Sequence, residues 1–311
     1  MPLASTAEVL RQALTAGYAV GGFEPYTFDQ IQGIIEAAEE EQAPVIIQLW
    51  SEVIETWGFP ALTAVVKELA GRASIPVCLH LDHAKDDTLI DAALEAGFTS
   101  VMYDGSTLPF DENVERTRAV VARAKPFGAS VEAELGIIGF LADYPTPEEA
   151  MAAIGVGAKR LDETDSSDPQ TDRPIASPLL TSPEQAERFV RETGIDILAP
   201  AVGSIHGCPL PMARLDISRI RAISAATGIP LALHGGSGVG EEMVRQAIGA
   251  GIAKVNIDAE VRALYITSLK EEVTAIGSGE RVFEDLARYP RRPREIVREA
   301  VRARMRVLMG K

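Results

Sequence analysis

The sequence predicts an α/β protein closed into a (β/α)8 TIM barrel. Three observations predict it. Strand-like apolar runs alternate with helix-like segments from one end of the chain to the other, and eight such runs are readable. The runs are nearly continuous in apolar residues, as strands of a parallel sheet covered on both faces must be. Polar residues gather just past the ends of these runs, where a barrel of this type carries its active site. A doubly wound open sheet is the structural alternative, but polar residues at so many strand ends favour closure.

The elements follow in order. Tyr18 to Phe23 reads as the first strand, Ile31 to Glu41 as a helix with an acidic end, and Pro44 to Leu49 as the second strand. Ala61 to Arg72 is helical and Val77 to Leu81 is the third strand. Asp87 to Ala96 reads as a helix closed by Gly97, a residue type that ends helices because it accepts the left-handed conformation. Ser100 to Tyr103 is the fourth strand, Phe110 to Lys125 a helix and Ser130 to Leu135 the fifth strand. A loop insertion at about 137–180 then breaks the pattern. Within it, composition shifts over Asp143 to Pro178, where Asp162 to Asp168 is acidic, small and turn-prone, which fits either a solvated excursion or a mobile active-site lid. Ser182 caps, and Pro183 opens, the next helix. Strands six, seven and eight are Asp196 to Ala201, Leu231 to Leu233 and Lys254 to Ile257. In the basic tail, Ile296, Val297, Ala300, Val301, Met305 and Leu308 share one helix face, which predicts an exterior helix or an oligomer contact. No linker or internal repeat is visible, so residues 1–311 read as a single barrel domain.

Bulk composition excludes several classes. A formal net charge of −15 argues against nucleic acid or an anionic membrane as partner. No apolar run approaches the ~20 residues of a membrane span, and the start Met1-Pro2-Leu3-Ala4 lacks the pattern of a secretory signal. Two cysteines, Cys78 and Cys208, make no disulfide framework, so a cytoplasmic location is expected.

The chemistry sits at the strand ends. Three of the four histidines, His83, His206 and His234, each close or follow an apolar run of strand length. Three neutral imidazoles with an open fourth position are a catalytic arrangement for Zn²⁺ or another divalent metal. Asp82 adjoins His83; it reads either as a proton-transfer group or as a carboxylate that orients a histidine. Glu132 and Glu134 alternate on one face of strand five, and Asp104 ends strand four. These carboxylates suit a second metal position or anchor the histidines. The turn His234-Gly235-Gly236-Ser237-Gly238 after strand seven, with Asn256 and Asp258 at the end of strand eight, suits a phosphate or another oxyanion.

These residues carry a family resemblance. The runs Leu79-His80-Leu81-Asp82-His83, Ser100 to Ser106, Val131 to Gly136, Gly203 to Gly207, Leu233 to Gly238 and Lys254 to Ile257 resemble the class II, metal-dependent ketose-bisphosphate aldolases that act on fructose and tagatose bisphosphates. The resemblance extends over nearly the whole chain. It implies an oligomeric barrel, a dimer or tetramer, with catalytic Zn²⁺ on His83, His206 and His234 and with Asp82 as the proton-transfer residue. It also implies a second metal site using Asp104 and Glu134, and a ketose phosphate or its enolate held by Gly207, Gly235, Ser237 and Asn256.

Departures from the family are equally specific. Cys208-Pro209-Leu210 replaces a Tyr-Lys pair, removing a lysine for phosphate. Ala259 replaces a threonine, Ala142 stands where the family has a catalytic glutamate, and Phe23-Glu24-Pro25-Tyr26 replaces an asparagine-containing run. Asp143 remains as an acid for exchanging the enolate proton. The expected protein is therefore a lyase, an aldolase of carbohydrate metabolism that reversibly cleaves a sugar or sugar phosphate, with a substrate that is altered or non-phosphorylated. A metal-dependent sugar isomerase or epimerase, and a metal-bound barrel that only binds sugar, are the alternatives.

Overall fold

The computed structural model describes residues 3–143, 146, 149, 179–278 and 291–311. Eight parallel strands close into a barrel in chain order, β1 pairing with both β2 and β8. They are β1 (Val20–Phe23), β2 (Val45–Leu49), β3 (Val77–Ala84), β4 (Ser100–Tyr103), β5 (Ser130–Leu135), β6 (Ile197–Pro200), β7 (Leu231–Leu233) and β8 (Ile252–Ile257). The closed barrel excludes the doubly wound alternative. β3 runs three residues beyond its expected end at Leu81, into the functional motif itself.

Two-residue alternation sorts each strand into an outer and an inner face. Outward residues such as Ile47, Leu79, Leu81, Val131, Leu198, Leu233 and Val255 pack under the surrounding helices. Inward, Val20, Ile46, Cys78, Ile197, Ala199, Ala232 and Ala253 form an apolar floor. A helix over Thr6–Ala16, not foreseen from the sequence, plugs this floor with Val9, Leu10 and Ala13. Ser5 caps its start by accepting the Glu8 N–H, and Gly17 ends it at φ 76°. Burying a side chain such as Leu10 contributes roughly 1.5–3 kcal/mol. Above the floor the interior turns polar: Gln48, His80, Glu132 and Lys254 are all fully buried. An apolar floor below a polar layer confines the chemistry to one end of the barrel.

The periodic tail is an exterior helix, Arg291–Leu308, which buries Val297, Val301, Met305 and Leu308. It packs along the helix Phe28–Glu41. Its basic residues are spent locally: Arg302 Nε and Arg306 Nε each lie 3.0 Å from the Glu41 carboxylate, and Arg304 Nε lies 2.7 Å from Glu260. Predicted caps are also present. Ser182 accepts the Gln185 N–H ahead of the helix Pro183–Thr193, and Gly97 ends Asp87–Ala96 in the left-handed region. Of the expected insertion, most of Asp143 to Pro178 lies outside the described residues, as does the lid reading attached to it. No helix among the described residues is long and apolar enough to cross a membrane.

Candidate metal centre and active site

The site begins at an irregularity in β3. Its register with β4 shifts between Leu81 and Ala84, and His83 adopts φ 47°, in the left-handed region that non-glycine residues avoid. One extra residue is thereby accommodated in the strand, the action of a β-bulge. Asp82 and His83 would otherwise face opposite sides of the sheet. The bulge delivers both to the barrel mouth.

There the three histidines expected from the sequence converge. His83 Nε2 lies 3.0 Å from His234 Nδ1, which lies 3.3 Å from His206 Nε2. The remaining nitrogen of each ring faces a group that accepts hydrogen bonds. His83 Nδ1 is 3.3 Å from Asp104 Oδ2, His206 Nδ1 is 3.3 Å from the Ile138 carbonyl, and His234 Nε2 is 2.8 Å from Glu132 Oε1. Those acceptors place the ring protons outward and leave three lone pairs facing one another. The buried Glu134 Oε2 has no hydrogen-bond partner among the described residues and completes a four-residue group with these nitrogens. Tetrahedral coordination at a metal–nitrogen length of about 2.0–2.1 Å sets nitrogens about 3.3–3.4 Å apart. The donor set therefore fits a divalent metal ion.

The electrostatics agree. Burial lowers the His206 pKa well below the ordinary value, reinforced by His83 and His234, and burial likewise lowers that of His234. Both rings are thus neutral, the form that binds a metal. Burial would lower His83 too, but Asp82, Asp104 and Glu134 outweigh it and push it up to about 10. Without a metal ion His83 thus keeps a proton, which a cation drawn by the same three carboxylates would displace. Burial, reinforced by Asp104, pushes Glu134 up to about 8 against the pull of His83. For Asp82, burial is overcome by His83, His80 and Lys254, which hold it well below the usual carboxylate range.

A second cluster, His80, Asp82 and Glu132, also has the spacing of a metal site. It already contains a cation. Lys254 Nζ lies 2.7 Å from Glu132 Oε2 and 3.3 Å from His80 Nε2, with all three residues fully buried. Lys254, ahead of His234, outweighs the burial of Glu132 and holds its carboxyl down at about 2. This cluster is an ion-pair network beneath the metal-binding group, fixing His234 from below.

A cavity opens above these groups. All five expected substrate residues, Gly207, Gly235, Ser237, Asn256 and Asp258, line it together with Asp82, His83 and His206. Gly235 is required by geometry: its φ is +65°, and a Cβ would stand 2.3 Å from the Ile205 carbonyl oxygen. Asp82 Oδ2 receives the Gln48 amide at 3.2 Å and the Asn256 amide at 3.4 Å. Two expected residues sit elsewhere. Asp104 lies behind His83, bonded also to Ser106, rather than in the converging group. Asp143 is exposed and does not line the cavity. The loop before it is pinned by the bonds Leu141 N to His206 O and His206 N to Gly139 O, both 2.9 Å, and presents Phe140 instead, stacked on His206 at 4.6 Å.

Sequence reasoning passed over Gln48, Trp50 and Arg262 among the cavity residues and met Glu24 only as a departure from the family pattern. A signal for them existed. The inward series on β1 is Val20, Gly22 and then Glu24, and on β2 it is Ile46, Gln48 and then Trp50, each continuing past its strand with period two.

Fold and site together define a barrel enzyme whose chemistry turns on a divalent cation. Comparison with known proteins makes the class specific. Residues 4–311 match the family described as fructose-bisphosphate aldolase class-II. The chain is 38% identical over 275 residues to the fructose-bisphosphate aldolase of Geobacillus stearothermophilus, covering 87% of this chain and 86% of that one. It is 35% identical over 263 residues to the sulfofructosephosphate aldolase of Alkalicoccus urumqiensis, covering 85% and 83%. Among solved structures, the YdjI aldolase from Escherichia coli K12 matches with a TM-score of 0.77 at 26% identity, over 98% of this chain and 97% of that one. The chain belongs to the class-II fructose-bisphosphate aldolase family. It is a metal-dependent aldolase, a lyase, as the strand-end motifs predicted.

Proposed function

We propose that this aldolase cleaves a hydroxylated ketose or ketose phosphate at a metal held by His83, His206 and His234, with Asp82 as the proton-transfer residue. One observation carries the reading: three imidazole rings converge beside Asp82, at a cavity that His83, His206 and Asp82 line. When bound, the divalent cation, with Zn²⁺ the expected ion, supplies Lewis-acid polarisation of the ketose carbonyl.

The chain's own groups do the rest. Asp82 accepts the proton of the hydroxyl on the carbon that becomes the aldehyde. Its low pKa keeps it ionised for that task, and the Gln48 and Asn256 amides hold its other oxygen in place. Asp104 and Glu132 orient two of the rings, and Glu134 stands as an additional ligand. Asp104 thereby serves as support for His83 rather than as a ligand to a second metal. The Gly235–Ser237 turn and Gly207 hold the ketone end. Asp143 does not line the cavity, so the return of the proton to the enolate carbon is not assigned to it. Fructose bisphosphate and sulfofructose phosphate, named for the two relatives, are the reference substrates. Loss of the expected lysine at Pro209-Leu210 and of a hydroxyl at Ala259 points to weaker dependence on phosphate.

The reading includes a single barrel domain over residues 1–311, a homo-oligomer and a cytoplasmic setting, which suits two buried free cysteines. The test incubates metal-loaded protein with a panel of ketoses and their phosphates, following aldehyde release and isomer formation separately. Aldehyde release from at least one ketose is expected. Isomer formation without aldehyde would replace the aldol reading with an isomerase.

A further inference from the structure

At the corner of the cavity between β8, β1 and β2, one carboxyl group is left without a partner. Glu24 is 8% exposed and lines the cavity, yet it makes no hydrogen bond or ion pair among the described residues. Strand register explains its position. Phe23 pairs with Ile257 on one side and with Ile47 on the other, so Glu24 stands level with Asp258 and with Gln48. Its side chain therefore belongs to the same inward set as Gln48, whose amide holds Asp82 at 3.2 Å.

The groups around Glu24 are engaged with one another rather than with it, and Gln48 Oε1, Asn256 Oδ1 and Asp82 Oδ1 are buried without a hydrogen bond among the described residues. Asp258 accepts the Tyr26 hydroxyl at 2.9 Å and pairs with Arg262 at 3.1 Å. Asp82 is held by two amides. Burial, together with the charges of Asp258 and Asp82, raises the Glu24 pKa well above the ordinary value. A carboxyl held toward its neutral form both donates and accepts hydrogen bonds, and so complements a hydroxyl. Glu24 faces the cavity uncommitted, and Gln48 Oε1 and Asn256 Oδ1 at the same corner are buried without a partner among the described residues, so this wall has polar capacity for a group from outside the chain.

The aldol reading above says which part of a substrate arrives here, and this inference rests on it. The ketone half occupies the histidine side, between Gly207 and the Gly235–Ser237 turn. Asp82 marks the carbon that becomes the aldehyde. Gln48, whose amide holds Asp82, Glu24, level with it on the neighbouring strand, and Trp50 line the cavity beside Asp82. We propose that Glu24 is a specificity-determining residue: its carboxyl hydrogen-bonds the first hydroxyl of the aldehyde half beyond the one handled by Asp82, so that the enzyme selects 2-hydroxyaldehydes.

The test runs the reaction toward synthesis with dihydroxyacetone, free or as its phosphate, as donor. Two acceptors that differ only in the hydroxyl at issue are compared, glyceraldehyde and 3-hydroxypropanal. The parent protein should favour glyceraldehyde in kcat/KM by about 10- to 100-fold, the range of one hydrogen bond to a group left buried when the hydroxyl is missing. Glu24→Ala should bring the ratio to within a few-fold of one. Glu24→Gln, which still donates and accepts, should retain most of it, with metal content and melting temperature confirming that both variants fold. A ratio near one in the parent, or an undiminished ratio in Glu24→Ala, overturns the proposal while the aldol reading stands. Solvent deuterium exchange into the donor without acceptor separates the two readings: a parent that neither exchanges nor condenses defeats both.

Discussion

The two sides of the cavity are built on opposite terms. On the β3–β5–β7 side, each histidine has its outward nitrogen anchored to Asp104, Ile138 or Glu132, and Glu132 is itself anchored to Lys254. Among the described residues the inward nitrogens and Glu134 Oε2 face one another, and Asp82 Oδ1 beside them accepts no hydrogen bond. On the β8–β1–β2 side the pattern reverses. Glu24 lacks a partner, and the buried Gln48 Oε1 and Asn256 Oδ1 accept no hydrogen bond among the described residues. One side is organised before anything binds, with its positions set by supporting contacts. The other leaves polar capacity unused, the condition of a surface completed by its ligand. On the proposed function, the difference makes the metal-holding group and the substrate-facing wall separable: the first is anchored to the scaffold, the second leaves polar groups open at the ends of β8, β1 and β2.

Four measurements break or sharpen that contrast. The largest effect belongs to the converging histidines. Replacing His83, His206 or His234 with alanine should abolish both stoichiometric divalent metal and turnover, read by elemental analysis and aldehyde release. Full metal occupancy in all three variants would dissolve the assignment. Next is Asp82→Asn, which should keep its metal and lose about 10²–10⁴-fold in kcat, the range for a positioned acid–base group. A variant that cleaves at the parent rate would make Asp82 purely structural.

Glu132→Gln probes the support beneath the metal group and should weaken metal affinity by about 10–100-fold. It also strands Lys254 as a buried charge, which costs about 3–5 kcal/mol. Adding Lys254→Met should restore stability but not metal affinity. The acid profile carries a sign as well. The Glu132 pKa is depressed to about 2 in the folded state, so its contribution is complete above the ordinary value of 4.5 and fades as pH falls toward 2. Thermal melts of the parent should therefore weaken over that window, and those of Glu132→Gln should be flatter there. If the two profiles coincide, the pair does not govern acid stability.

The smallest effect is expected from phosphate. The kcat/KM values for the phosphorylated and free forms of one accepted ketose should differ by about tenfold or less, since the charge-assisted bond of a lysine is missing. A preference of several orders of magnitude for the phosphate would show that the ketone end grips an anion through groups outside the described cavity wall.

Much of this was readable beforehand. Strand periodicity is a property of a few consecutive residues, so all eight strands and the three histidines past their ends stood out. The N-terminal helix did not, because its amphipathic face has meaning only once a barrel floor exists to receive Val9, Leu10 and Ala13. Glu24 was visible only as a departure from a family pattern. Asp104 was singled out by its place at a strand end and Asp143 by the family resemblance; which way they face was not legible, and the structure has Asp104 bonded to the outward nitrogen of His83 and Asp143 exposed.

By itself, then, the sequence determined the barrel, the residues available for metal chemistry and the end of the barrel that carries them. It did so because apolar alternation and strand-end polarity are local signals. Closure decided the rest. It joins Tyr26 to Asp258 across 232 residues and brings His83 against His234 across 151. The β3 bulge turns Asp82 and His83 to the same mouth, and Lys254 sits against Glu132 and His80 in the lower cluster. Which atoms face each other, and which are left without partners, depends on strands that meet only when the sheet closes.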